Sequence, residues 1–312
     1  MAVPVVFGIT LITFGIIAFA PGDPIDVIIA MAAEEGETIA EQDLERMRAK
    51  LGLDKPLPVR YLLWLKEVAR GNLGNRTTDN RPVADVILER LPRTVELMAL
   101  SIVVSTVLAI LLGVIAALRQ YSVLDYVLTF LTFCGIATPN FFLALGMILV
   151  VGVKLGWLPT HGVRTAGMPP SLIDHVSHLI MPAFILGLGH MASLMRQARS
   201  SMLEVIRQDY ILVARAKGLR ERSINLQHAF RNAALPLVTL VGLSLPALFG
   251  GSVIVESIFA WPGIGQLGIS SVGTRHFQTL MGLNLITACL VLLSNLITDI
   301  SYAWVDPRIR YQ

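Results

Sequence analysis

Apolar residues along this chain gather into long blocks, and the polar residues fall mainly into the stretches between them. A hydrocarbon core about 30 Å thick takes roughly 20 helical residues to cross. Six blocks qualify: about Val3–Ala20, Thr94–Leu118, Tyr126–Val153, Leu179–Leu194 with its extension, Leu235–Phe259 and Thr279–Tyr302. The fourth is short and has the least defined ends. In lipid, backbone N–H and C=O groups have to be satisfied within the protein, and at this spacing only helices achieve that. The pattern predicts an all-α integral membrane protein. A first transmembrane helix covers 1–20, an extracytoplasmic helical insert 21–93, and a transmembrane core 94–312. A cytoplasmic helical loop, about 201–236, joins the fourth and fifth spans.

Finer periodicity fills in the polar stretches. In the insert, Thr38 and Glu41 form a capping box, followed by Leu44, Met47 and Leu51 at helical spacing, Gly52 as a stop and Pro56 beyond. Val59, Leu62, Leu65 and Val68 predict a further amphipathic helix ended by Gly71. Such helices suit either a structural cap on the outer face of the bundle or a docking surface for an external partner. In the loop before the fifth span, Ser201 with Glu204 reads as another capping box, Gly218 as a helix stop and Pro236 as the start of the next span. Pro139, Pro182, and Pro246 with Gly250–Gly251 put breakers inside three spans, as suits a bundle that opens alternately to two sides. No internal repeat stands out, which disfavours the inverted-repeat carriers.

Composition agrees: 54% of residues are hydrophobic and 15% charged. Charge adds orientation. Arg196–Pro236 carries eight Lys and Arg against three acids, and short loops that basic stay cytoplasmic. Arg119, Arg308 and Arg310 then lie inside too, with both termini. Lys154–His178 and Ala260–Gln278 lie outside with only Lys154, Arg164 and Arg275. The long segment Pro21–Arg93 is external. Ala18-Phe19-Ala20 is like a signal-peptidase site, but residues 1–20 hold no Lys or Arg, so the first span is expected to be retained. The missing basic flank points to a short cytoplasmic leader before Met1. The basic loop accounts for the net charge of +3, and no nucleic-acid partner is expected.

Candidate chemistry within the spans is sparse. Cys134 and Cys289 read as small apolar packers rather than a disulfide or a metal site. Glu96, Asp299 and Glu256 fall near span ends, where interfacial placement explains them. His175 and His178 could share a helix face, but without a third ligand they make a weak metal pair. No glycine is followed by lysine, so a Walker A loop is excluded, and any ATP that drives this protein is bound by another chain.

What remains is the basic loop, which is a lipid-surface helix or something a partner holds. Its turn reads Ala214-Arg215-Ala216-Lys217-Gly218-Leu219, with Pro236 eighteen residues after the glycine. This resembles the EAA loop of ABC importer permeases. The Glu-Ala-Ala opening is replaced by Leu212, Val213 and Ala214. With Arg231-Asn232-Ala233 and Leu235-Pro236 following, the form is similar to the dipeptide/oligopeptide/nickel branch. Pro21-Gly22-Asp23-Pro24, Leu51–Pro56, Gly71–Gly74, Glu256–Gly265 and Asp306–Arg310 resemble that branch's other landmarks. The long insert is similar to the first of its two permease paralogues, the dipeptide permease B type.

The resemblance implies a non-catalytic subunit that moves di- or oligopeptides, or alternatively nickel, a sugar or another small solute. Its implied partners are a homologous second permease, two ABC ATPases that bind ATP and Mg, an extracytoplasmic solute-binding protein, and the lipid of a bacterial or archaeal inner membrane. It also implies that Ala214, Arg215, Ala216, Lys217, Gly218 and Leu219 meet an ATPase, supported by Asp209, His228 and Arg231. Substrate contacts stay unassigned within a cavity lined by spans two to five. A secondary carrier is the alternative of a different class, and it would be expected to use intramembrane carboxylates that are scarce here.

Overall fold

The computed structural model describes residues 2–19, 43–46, 54–76 and 78–305, with single positions at 29, 33 and 40. The Thr38–Glu41 box, Met47, Leu51–Leu53, Pro21–Pro24, the tail from Asp306 and the side chain of Asp299 lie outside the described residues. Among those described, the regular structure is helical apart from one isolated bridge, Asn75 to Pro82. Three of the described helices are long and apolar enough to cross a membrane, Val83–Leu118, Leu172–Ile206 and Phe277–Thr298, and a bent pair among the described residues adds a fourth if it counts as one span.

The chain divides into two compact units. One comprises Met1–Pro92 with Gly263–Leu292. In it, α1 (Ala2–Phe19) is apolar apart from Thr10 and Thr13, and α2 (Leu57–Ala69) follows the predicted amphipathic spacing. Gly71 ends the latter in the left-handed region, at φ +80. Tyr61 of α2 is buried against α1, with its hydroxyl 3.0 Å from Thr10 Oγ1 and its ring edge-on to Phe7 and Phe14. A second core gathers Val83, Val86 and Ile87 with Ile264, Leu267 and Leu283. These come from the start of α3 (Val83–Leu118) and from two helices late in the chain, Ile264–Gly273 and Phe277–Val305. The second span was expected to begin at Thr94; its helix begins at Val83, so the last part of the predicted insert already belongs to it.

The other unit comprises Arg93–Pro262 with Leu293–Gln312. The predicted third span, Tyr126–Val153, is not one rod. It consists of α4 (Val123–Ala137) and α5 (Asn140–Met147), the latter continuing as a π-helix over Ile148–Lys154, with a 110° bend between the two. Pro139 causes the break: it has no N–H to donate, and it forces Thr138 before it into extended backbone at ψ 128. The Thr138 hydroxyl caps the Cys134 carbonyl at 2.8 Å. Pro182 behaves otherwise, lying inside the continuous helix α6 (Leu172–Ile206).

That helix also overturns the Ser201–Glu204 capping box. Ser201 is buried inside it and accepts a bond from Gln197 one turn back, so no helix starts there. α6 packs on α4, α5 and the helix Leu235–Ile258, which runs through Pro246 and carries Pro236 in its first turn, as predicted. Small residues bring the rods close. A Cβ at Gly113 would sit 2.7 Å from Ala198 Cβ and Met195 O, and one at Gly187 would sit 2.9 Å from Ser101 O.

Glu256 lies in the last turn of the helix Leu235–Ile258. It is completely buried and accepts a 2.7 Å bond from Thr94. Around it the Glu256–Gly265 stretch forms a packed turn. Ala260 takes a left-handed φ of +48, and buried Trp261 donates from Nε1 to Arg93 O at 2.9 Å. His175, stacked near that indole, bridges Val163 O and a Glu96 carboxylate oxygen, while His178 bonds to Asp174 O. The two histidines therefore face different partners. Both cysteines are unpaired.

Candidate functional site

The basic loop folds as a helix–turn–helix. α6 ends at Ile206, Gln208 is extended, and α7 (Asp209–Ala216) opens with an acid and ends with Arg215, charges that complement the helix dipole at each end. The chain then reverses through Gly218 at φ +74. Gly218 N–H donates to Arg215 O at 2.9 Å and Leu219 N–H to Ala214 O at 3.3 Å, the paired closure of a Schellman turn. That closure needs a left-handed residue, and glycine supplies it without penalty. The return arm comprises α8 (Glu221–Ser223), a π-helix over Ile224–Phe230 and α9 (Arg231–Ala233).

Two cross-links hold the arms together. Arg215 forks onto Glu221 across the turn, Nε to Oε1 at 2.9 Å and Nη2 to Oε2 at 3.4 Å. Asn232 donates to Tyr210 Oη at 2.9 Å. Beneath them Ile211, Ala214, Ile224, Ala229 and Ala233 form a buried core with Met202 of α6 and Ala117 of α3. The loop is thus a built element rather than a tether.

Its two faces differ. Ile211 and Ala214 point into that core, while Leu212 and Val213 are more than half exposed, with Leu219 and Leu226 also in the open. Arg215, Ala216, Lys217 and Gly218 are exposed beside them, and so are Asp209 and Arg231. An apolar face rimmed by cations, left uncovered on a folded element, is the usual mark of an interaction surface. On the return arm, half-buried His228 and exposed Arg231 line an open hollow of about 710 Å³ together with Leu226 and Phe230. The two alanines at the turn differ in exposure. Ala214 is buried in the loop's own core and Ala216 is exposed.

The pattern of apolar blocks passed over one buried ion pair. Arg199 of α6 holds Asp125 of α4 through two bonds of 2.7 Å. Asp125 lies in the first turn of α4, three residues after the Ser122 cap, where an acid reads as an ordinary helix start, so the sequence held no sign of its distant partner. Among the described residues no group of three or more His, Cys, Asp or Glu could hold a metal ion.

A family profile described as "Binding-protein-dependent transport system inner membrane component" matches residues 109–311, and its N-terminal companion matches 1–98. An oligopeptide transport system permease, AppB of Bacillus subtilis, is 43% identical over 100% of this chain and 97% of its own. The di/tripeptide permease DppB of Pseudomonas aeruginosa is 37% identical, and the dipeptide permease DppB of Escherichia coli 35%, each over 100% of this chain and 97% of the relative. Among solved structures, an inward-facing form of the MetNI methionine ABC transporter matches with a TM-score of 0.57 at 18% identity. The match covers 71% of this chain and 96% of that one, and at such identity it speaks for the fold alone.

Proposed function

Because this chain belongs to the binding-protein-dependent transport system inner membrane component family, and is thus a permease subunit of an ATP-binding-cassette importer, we propose that it carries di- or oligopeptides as the first of two paralogous permeases. The peptide cargo rests on relatives named as peptide permeases and similar from end to end. In this reading the chain has six spans: α1, α3, the bent pair α4 and α5, α6, Leu235–Ile258 and Phe277–Val305. Both termini and the helix–turn–helix face the cytoplasm, as the excess of Lys and Arg in that loop supports. A second permease, two ATPases and an extracytoplasmic binding protein complete the importer.

The observation that carries the coupling role is the exposed apolar face of Leu212, Val213 and Leu219 beside Arg215 and Lys217, on a loop with a core of its own. Asp209, Ala216, Gly218, His228 and Arg231 share that element, while Ala214 fixes it from beneath. ATP-driven closure of the ATPases draws the helix–turn–helix elements of the two permeases together, and α6 passes the displacement to the bundle. Each ligand shifts the balance of inward and outward states only by its differential affinity for them.

The test is uptake into proteoliposomes holding the four-subunit transporter, with ATP inside and binding protein plus labelled dipeptide outside. Accumulation that requires both ATP and binding protein is expected. Accumulation of nickel or a sugar instead of peptide would replace the cargo, and uptake indifferent to ATP would make the protein a secondary carrier.

A further inference from the structure

The ion pair between α4 and α6 has a geometry that packing alone does not require. Asp125 is held by the Arg199 fork at 2.7 Å twice and by the Tyr121 backbone N–H at 3.0 Å. Its own N–H donates to the Ser122 side chain. Its carboxylate is 3% exposed, whereas the Arg199 side chain keeps 28% exposure. A carboxylate withdrawn from water is costly, and an apolar pair of similar volume joins two helices at least as well. The fork supplies something an apolar contact does not. Two parallel N–H···O bonds fix the rotation and register of one helix against the other.

The pair's position gives the register a use. Arg199 lies in the last two turns of α6, which ends at Ile206 and leads directly into α7. α6 is also the rod against which α4, α5, Leu235–Ile258 and the return arm of the helix–turn–helix all pack. The start of α4 is therefore fastened to α6 at the end that bears the coupling surface, and the Pro139 break lies at the far end of α4.

We propose that Asp125 and Arg199 are positioning residues for transport. They join α4 to the coupling end of α6, so that a displacement of the helix–turn–helix moves both helices together and, through the Pro139 bend, carries α5 with them. This rests on the importer reading above. Without the joint, α6 moves under ATP-driven closure while α4 slips, and ATP is spent with little substrate moved.

Asp125→Asn keeps shape and removes the charge, and the exposure of Arg199 lets the freed guanidinium reach water. In purified transporter reconstituted with its partners, this variant is expected to assemble with the ATPases and hydrolyse ATP, while peptide moved per ATP falls about tenfold. Arg199→Lys, which keeps the charge but not the fork, falls between Asp125→Asn and the native chain. An unchanged ratio of peptide to ATP in Asp125→Asn overturns the proposal, even if less complex is recovered, because that pattern marks a purely structural pair. Should Asp125→Asn fail to accumulate in the membrane, Arg199→Lys decides by the same ratio. If the native chain recovers no ATPase, it is the importer reading that fails, which the same preparation shows separately.

Discussion

Replacing Gly218 isolates the turn from everything around it. The residue sits at φ +74, and a Cβ built there meets nothing within 4 Å, so the cost of a side chain is conformational with no clash added. Left-handed backbone costs an alanine about 1–2 kcal/mol. Valine, β-branched, costs more, because for such residues positive φ is a true outlier. Against a total stability of about 5–15 kcal/mol the fold survives either change. The turn itself does not, since each 1.4 kcal/mol shifts a local equilibrium about tenfold. Gly218→Ala should therefore lower ATP-driven peptide uptake several-fold and Gly218→Val nearly abolish it, with normal amounts of protein in the membrane. Gly71 provides the control, with φ +80 and equally open space at the end of α2, in a different segment of the chain. Gly71→Val carries the same strain and should leave uptake per transporter intact. Uptake at native rates in Gly218→Val would refute the coupling role of this turn, and equal losses in both valine variants would assign the effect to general destabilisation.

Other outcomes follow from contacts elsewhere. Tyr61→Phe removes the hydroxyl bond to Thr10 but keeps both ring contacts, so thermal unfolding should register a loss of about 1 kcal/mol with uptake unchanged. Gly113→Leu puts a side chain where even a Cβ would lie 2.7 Å from the Met195 carbonyl, and the overpacking should cost about 1–3 kcal/mol and reduce the amount in the membrane. His276 is buried, and burial first, then nearby Arg76, hold its pKa below the ordinary imidazole value, with Asp79 opposing. As pH falls below about 6.5 the unfolded chain takes up this proton before the folded one, so stability is full above that range and declines beneath it. Melting temperatures between pH 7.5 and pH 5 should show the decline, and His276→Gln should flatten it.

Much of the fold could be read in the sequence because lipid imposes one rule on the backbone. The amphipathic spacing of Val59 to Val68 gave α2, Gly71 and Gly218 gave helix ends, and Pro236 gave a helix start. Boundaries failed where a signal had two uses. Ser201 and Glu204 fit a capping box, yet the apolar face of α6 continues through them with Ser201 buried, and tertiary packing overrode the local signal. Proline was equally ambiguous, since Pro139 breaks its helix while Pro182 is absorbed in a continuous one. In the helix–turn–helix the turn was legible, because left-handed backbone has a residue signature. The inward rotation of Ala214 and the exposure of Leu212 and Val213 were not, because α7 is apolar on both faces and only its packing on Met202 and Ala117 chooses between them. Glu256 and the Asp125–Arg199 pair escaped for a related reason. Burial with a distant partner leaves no periodic trace in a single chain.

The most direct test of the central claim is purification of the tagged chain from its native membranes in mild detergent, once intact and once with the Arg215–Leu219 turn replaced. The account predicts that the intact chain brings down ABC ATPases and a second permease, and that the altered chain keeps the permease and loses the ATPases. Recovery of the same ATPases with the altered turn would contradict it.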